Sequence, residues 1–191
     1  MAGGARRWSN VVAFDDGPFD RDHRGDVPLV GAVFARHRLD GVLVGRVRRD
    51  GANATAAIVE LLGRSQFEEH VQAVLLQGIA LAGFNVVDLP GLHQALGIPV
   101  VVVARRAPDL AAIRRVLLER VPGGRRKWAL VERAGPMERV GQVWVQRAGI
   151  SRPDAERMLA GLTVHGALPE PIRAAHLIAG ALVTGVSRGR A

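Results

Sequence analysis

Short apolar runs separated by turn residues set the rhythm of this chain. Val11-Val12-Ala13-Phe14 runs into Asp15-Asp16-Gly17-Pro18, a strand followed by turn chemistry. The polar stretch 19–27, with Asp20, Asp22 and Asp26, reads as an exposed loop. Pro28 to Ala35 and Leu39 to Arg48 are β-rich, and Val42, Val44 and Val47 interleave with Gly and Arg as on a strand with one wet face. Asn53 stands where a helix N-cap belongs, before the helix formers Ala54 to Leu62. Val71 to Leu76 and Pro99 to Ala104 are continuous apolar runs of strand length, the signature of strands buried on both faces. Asp88 to Leu96 and Leu110 to Val121 carry helical spacing, the latter with Arg114, Arg115, Glu119 and Arg120 on its polar side. Trp128 to Val131 and Gln142 to Gln146 read as strands, Ser151 caps a helix to about Leu162, and Pro171 to Val183 forms the last helix. Three early strands followed by alternating helix and strand predict an α/β fold, a central mixed sheet flanked by helices on both faces. No linker divides the chain, so residues 1–191 read as a single domain.

Composition narrows the chemistry. The absence of cysteine and tyrosine excludes disulfides, zinc–thiolate sites, thiol nucleophiles and phenolic nucleophiles. A net charge of +8 rests almost wholly on arginine, Lys127 being the one lysine. Genome bias toward Arg, Ala and Gly accounts for such a balance, and so does a polyanionic partner whose phosphates pair with guanidinium. Val71 to Val87 holds no charged residue, but its 17 residues include Gln72, Gln77, Gly78, Gly83 and Asn85, which suits a buried strand and loop better than a membrane span. The apolar run after Arg6-Arg7 stops at Asp15, too soon for an export signal, so a soluble, cytoplasmic protein is expected.

Asp15 and Asp16 are the leading candidates for chemistry. Adjacent carboxylates at a strand end repel each other unless a cation neutralises them, and Mg²⁺ or Mn²⁺ with oxygen ligands is the natural partner. The competing reading is an Asp-Gly-Pro turn. Gly83 to Asp88 follows a buried strand, where open α/β sheets bind ligands, although Asp88 can equally be a helix cap. Glu170 and Arg173 are spaced to pair on a helix; alternatively Arg173 and His176 face a cleft together. Ser187-Arg188-Gly189-Arg190 is a short basic tail. No P-loop, Rossmann glycine fingerprint or nucleophile elbow is present.

The strings AFDDGPF (13–19), DGANAT (50–55), GFNVVD (83–88), HGALPEPIRAAHLIAG (165–180) and SRGRA (187–191) resemble the endonuclease dU family, relatives of endonuclease V. The resemblance implies a ribonuclease H-like fold and Mg²⁺-dependent nicking of DNA at or near deaminated bases, deoxyuridine foremost. Under it, Asp15 matches the first-strand metal aspartate, and Leu168-Pro169-Glu170-Pro171 with Arg173 matches a segment of endonuclease V. Four positions depart: Gln77 stands for the second metal aspartate, Asn53 for a glutamate, Arg105 for a lysine and Ala148 for a late histidine. The resemblance therefore implies Asp15, Asp16 and Arg105 as catalytic residues, with Asp16 and Asp88 completing the metal set. Substrate contacts are expected from Asn53, Gly83, Asn85, Asp88, Arg173 and His176, Asn85 reading the base through its amide. The eroded metal set supports a second reading, a nucleic-acid-binding module of the same fold without catalysis.

Overall fold

Strand β1 (Asn10–Asp16) is the axis of the fold, as its unbroken apolar run requires: Val11, Val12, Ala13 and Phe14 are all fully buried. The computed structural model describes residues 8–187, and β1 lies within a seven-stranded mixed sheet of order β3-β2-β1-β4-β7-β9-β8. On one side β2 (Asp26–Ala35) and β3 (Arg38–Arg48) form an antiparallel meander. On the other, β4 (Ala73–Gln77) and β7 (Val100–Ala104) run parallel to β1, and β9 (Val143–Ala148) and β8 (Glu138–Val140) finish the sheet antiparallel. The chain leaves β1 toward β2 but leaves β4 toward β7. The carboxyl ends of β1 and β4 therefore border the crevice where open α/β sheets bind ligands.

Alternation along the strands sorts the core into two layers. Val12, Phe14, Val74 and Leu76 face helices α1 (Ala54–Gly63) and α2 (Leu89–Leu96). Val11, Ala13, Ala73 and Leu75 face α5 (Arg152–Leu162) and α6 (Glu170–Thr184). A third, smaller cluster of Val86, Leu117 and Val131 joins α3 (Leu110–Arg120) and α4 (Gly124–Arg133) to the ribbon of β5 (Ala80–Leu81) and β6 (Asn85–Val86). The uncharged stretch 71–87 is thus strand β4 and this ribbon, and among the described residues no helix is long and apolar enough to cross a membrane.

One expected element is different in kind. Trp128 to Val131 is not a strand; it lies inside α4. Gly124, Lys127 and Val131 form the buried stripe of that helix, a three-and-four spacing that a four-residue apolar window cannot reveal. Most of the basic tail expected at 187–190 lies outside the described residues.

Gly124 makes the α3–α4 contact possible, since a Cβ there would sit 1.7 Å from the carbonyl oxygen of Leu117. Gly124→Ala must push the helices apart, and an overpacking cost of about 1–3 kcal/mol follows. Urea unfolding of the variant should show that loss; an unchanged midpoint would mean that the hairpin does not pack this tightly.

Candidate active site at the carboxyl ends of β1 and β4

Asp15 shares its face of β1 with Val11 and Ala13, and so points toward α6. Ile172, Ala175 and Ala179 bring that helix close to the sheet, and Gly17 leaves room for it: a Cβ there would lie 2.7 Å from Val183. The Asp15 carboxylate is 6% exposed, and its Oδ2 accepts a 2.8 Å hydrogen bond from His176 Nδ1. A carboxylate acceptor sets the tautomer, with the proton on Nδ1 and Nε2 as the ring's other nitrogen. The hydrogen bond donated to Asp15 raises the His176 pKa; burial opposes the rise, and the nearby charge of Arg105, just after β7, also pulls it down.

Asp16 points to the opposite face, as the period of two requires. Its carboxyl is pushed up from 3.8 to about 6, first by burial and then by the charge of Asp15, while backbone hydrogen bonding at Ala82 partly offsets the rise. Gln77 ends β4. The parallel register aligning Ala13 with Leu75 puts Gln77 beside Asp15 on the same face. Its Oε1 is buried without a hydrogen-bond partner. Asp15, His176 and Gln77 thus converge on one face, with Arg105 near enough for its charge to bear on His176.

The other expected contributors have separate tasks. Asn85 is fully buried and spends its whole amide on structure. Its Oδ1 accepts from the amide of Ala54 at 2.9 Å, and its Nδ2 donates at 2.8 Å to both the carbonyl of Arg48 and Asn53 Oδ1. It therefore has no group left to read a base. Asn53 precedes α1 as expected but does not cap it: its Oδ1 serves Asn85 and the amide of Arg48, and Asn85 supplies the cap instead. Gly83, at φ +85°, packs against Asp50, whose Oδ1 accepts from the amide of Phe84 at 2.9 Å.

Asp88 caps α2 through the amide of Gly91 and pairs with Arg133 at 3.3 Å. That helix lies on the α1 side of the sheet, across from Asp15, so Asp88 does not join Asp15 in one cation site. Arg173 also turns away from the crevice. It clasps Glu170, whose carboxyl it holds low with help from His165 and His37. His37 lies in the β2–β3 hairpin, at the end of the sheet where Asn10 pairs with Ala35, opposite the Asp15 end. Only His176 of that helix reaches Asp15, one turn farther along.

The chemistry of the donors can be tested against a divalent cation. Among the described residues no group of three or more His, Asp and Glu side chains is arranged to hold a metal ion. Mg²⁺ keeps most of its waters and needs only one or two protein oxygens beside a phosphate. Asp15 supplies one such carboxylate, and Gln77 Oε1, without a hydrogen-bond partner on the same face, is a further oxygen that could join it. The donors fit a sparse, substrate-assisted site, not a closed cage. Gln77 went unread as a ligand because an amide carries no charge signature in sequence.

The sheet order, the crevice and its carboxylates define an α/β protein of ribonuclease H-like, endonuclease V-like fold. The chain belongs to the Endonuclease dU family, which it matches over residues 7–183. It is 54% identical over 184 residues to a UPF0215 protein of Deinococcus radiodurans, covering 96% of this chain and 94% of that one. A crystal structure of a protein of unknown function from Archaeoglobus fulgidus superposes with a TM-score of 0.87 at 32% identity, covering 94% of this chain and all of that one. Endonuclease V of Bacillus subtilis matches at 0.60 and 13%, over 93% of this chain and 81% of its own. Ciona intestinalis endonuclease V, solved with DNA containing an inosine, matches at 0.55 and 14%, over 87% of this chain and 82% of its own.

Both shifted groups of the crevice have folded-state pKa values above their ordinary ones. Their contributions to stability are therefore fully present in acid and are lost as pH rises, Asp16 between about 4 and 6 and His176 above about 6.5. Asp16→Asn should remove the Asp16 part and stabilise the protein at pH 7.5 by about 2–3 kcal/mol. Urea unfolding in chelator should show this gain shrinking toward pH 4. A gain of equal size at both pH values would show that the carboxyl is not desolvated.

Proposed function

We propose that this protein is a Mg²⁺-dependent endonuclease that nicks DNA at or near deaminated bases, with deoxyuridine as the principal target. The observation that carries the reading is the Asp15–His176 pair beside the orphaned Gln77 Oε1, at the crevice of an endonuclease V-like sheet. The solved Ciona relative holds DNA with a deaminated base, which supports the substrate class.

Asp15 and Gln77 would hold the ion, which when bound would polarise the scissile phosphate and lower the pKa of its water. Asp15 also orients His176 through Nδ1, so that Nε2 is the nitrogen available to move a proton. The hydrogen bond to Asp15 raises the His176 pKa, which favours the protonated ring and suits it to give a proton to the leaving oxygen. Arg105 offers a fixed positive charge to the phosphate. Asn85 and Asn53 act through position: their amides brace the loop at 78–84, which would meet the extruded base with its backbone groups.

Nicking of a uracil-containing duplex, run beside hypoxanthine and undamaged duplexes, tests the proposal. Asp15→Asn should lower the Mg²⁺-dependent rate at least about a hundredfold with the fold intact. Arg173→Gln should leave the rate within a few-fold. Undiminished nicking by folded Asp15→Asn protein would overturn the assignment, and absence of nicking by the wild type would favour the non-catalytic binding module that Gln77, an amide where an acid is expected, also suits.

A further substitution addresses the ligand pair. Gln77→Asp adds negative charge where the amide oxygen stands and should tighten Mg²⁺ by about tenfold in calorimetric titration. Gln77→Leu should weaken it. Equal affinity in all three proteins would remove Gln77 from the site.

A further inference from the structure

The arginines of this protein are unevenly placed and unevenly paired. Arg38, Arg64, Arg147, Arg157 and Arg173 are each closed onto a carboxylate: Asp40, Glu60, Glu138, Asp154 and Glu170. The stretch from Arg105 to Arg133 is different. It carries nine of the chain's Lys and Arg against three Asp and Glu, so six of the eight net positive charges lie there. Arg105, Arg106, Arg115, Arg125 and Arg126 are exposed, and no carboxylate pairs with them among the described residues. Arg114 is exposed as well and stacks over the Trp128 ring at 5.9 Å from its centroid. Arg21, Arg24, Arg36 and Arg46 also lack a carboxylate among the described residues, but they are scattered over the first strands and loops. Arg114, Arg115, Arg120, Arg125 and Arg126 stand together on one helical hairpin, which genome bias does not account for.

Placement supports a purpose for that charge. The Leu117, Val131 and Val86 cluster seats α3 and α4 on the β5–β6 ribbon, beyond the end of β4, and not on the main sheet. The charged stretch starts at Arg105, whose field reaches His176. A row of unpaired guanidinium groups on a rigid surface is the electrostatic footprint of a phosphate backbone.

We propose that the α3–α4 hairpin is the surface on which this protein grips the phosphate backbone of duplex DNA, leading it to the Asp15–His176 crevice. The proposal rests on the nuclease reading and adds the location and chemistry of the grip. Anisotropy titrations of a labelled uracil-containing duplex, across a range of salt concentrations and without Mg²⁺, test it. The quadruple variant Arg114→Gln, Arg115→Gln, Arg125→Gln, Arg126→Gln should bind at least about tenfold more weakly at low salt, and its log–log salt slope should shrink by about 0.9 for each phosphate that is no longer neutralised. In nicking assays its KM should rise while kcat stays within a few-fold.

A control with four substitutions elsewhere, Arg64→Gln, Arg139→Gln, Arg152→Gln and Arg157→Gln, should keep most of the slope. Equal losses in the two variants would show that net charge alone matters and would overturn the hairpin assignment. An unchanged slope in the hairpin variant would overturn it too, and the nuclease reading would stand if Asp15-dependent nicking persists. A wild-type protein that binds no DNA would sink both.

Discussion

At the end of β1 two neighbouring carboxylates leave water on opposite faces of one strand, and their desolvation constrains everything packed around them. Asp15 meets the cost with a hydrogen bond from His176, which requires α6 to lie close enough for its fourth residue after Pro171, Ala175, and its neighbours to pack flat on the sheet. Asp16 has only backbone hydrogen bonding, chiefly at Ala82, too little to offset its burial, and holds its proton more tightly. A fold seeking only stability would place an apolar residue at either position, as it does at the four positions before them. Retaining both acids there makes the crevice the candidate site, because desolvated ionisable groups in clefts are where functional residues concentrate.

The two motifs that look most like ligand-binding loops have a different role. DGANAT and GFNVVD interlock: Asn85 ties together the end of β3, the start of α1 and its own ribbon, while Asp50 receives the amide of Phe84 and Lys127 Nζ donates to the Asp50 carbonyl. Lys127, the one lysine, is buried and its pKa is lowered by that burial. These bonds hold the ribbon, the α3–α4 hairpin and the β3–α1 connection in one fixed relation. The loop at the mouth of the crevice and the basic hairpin are thereby tied to the same brace.

Local signals were legible where they are strong. The buried strands at 11–14, 71–76 and 99–104 declare themselves by uninterrupted apolar residues, and the caps Asp88 and Ser151 by their place before helical spacing. The competing readings of Asp88 as a cap and of Glu170–Arg173 as a helical pair are what the structure displays. Trp128 to Val131 was not legible as helix because its stripe begins at Gly124, outside the apolar window. Gln77 was not legible as a candidate ligand because what distinguishes it is an unpaired oxygen, a property of its surroundings.

The sequence by itself determined the order and type of most elements and Asp15 as the residue to watch, because periodicity and turn chemistry act over a few neighbouring residues. The tertiary structure alone decided which distant groups meet. It brought His176 across 161 positions to Asp15, set Gln77 beside them through a strand register, and carried Asp88 and Arg173 away. The reason is physical: a side chain's partners are chosen by the face of the sheet and the end of the strand on which it stands, and both are fixed only when helices and strands from the two ends of the chain close over one another.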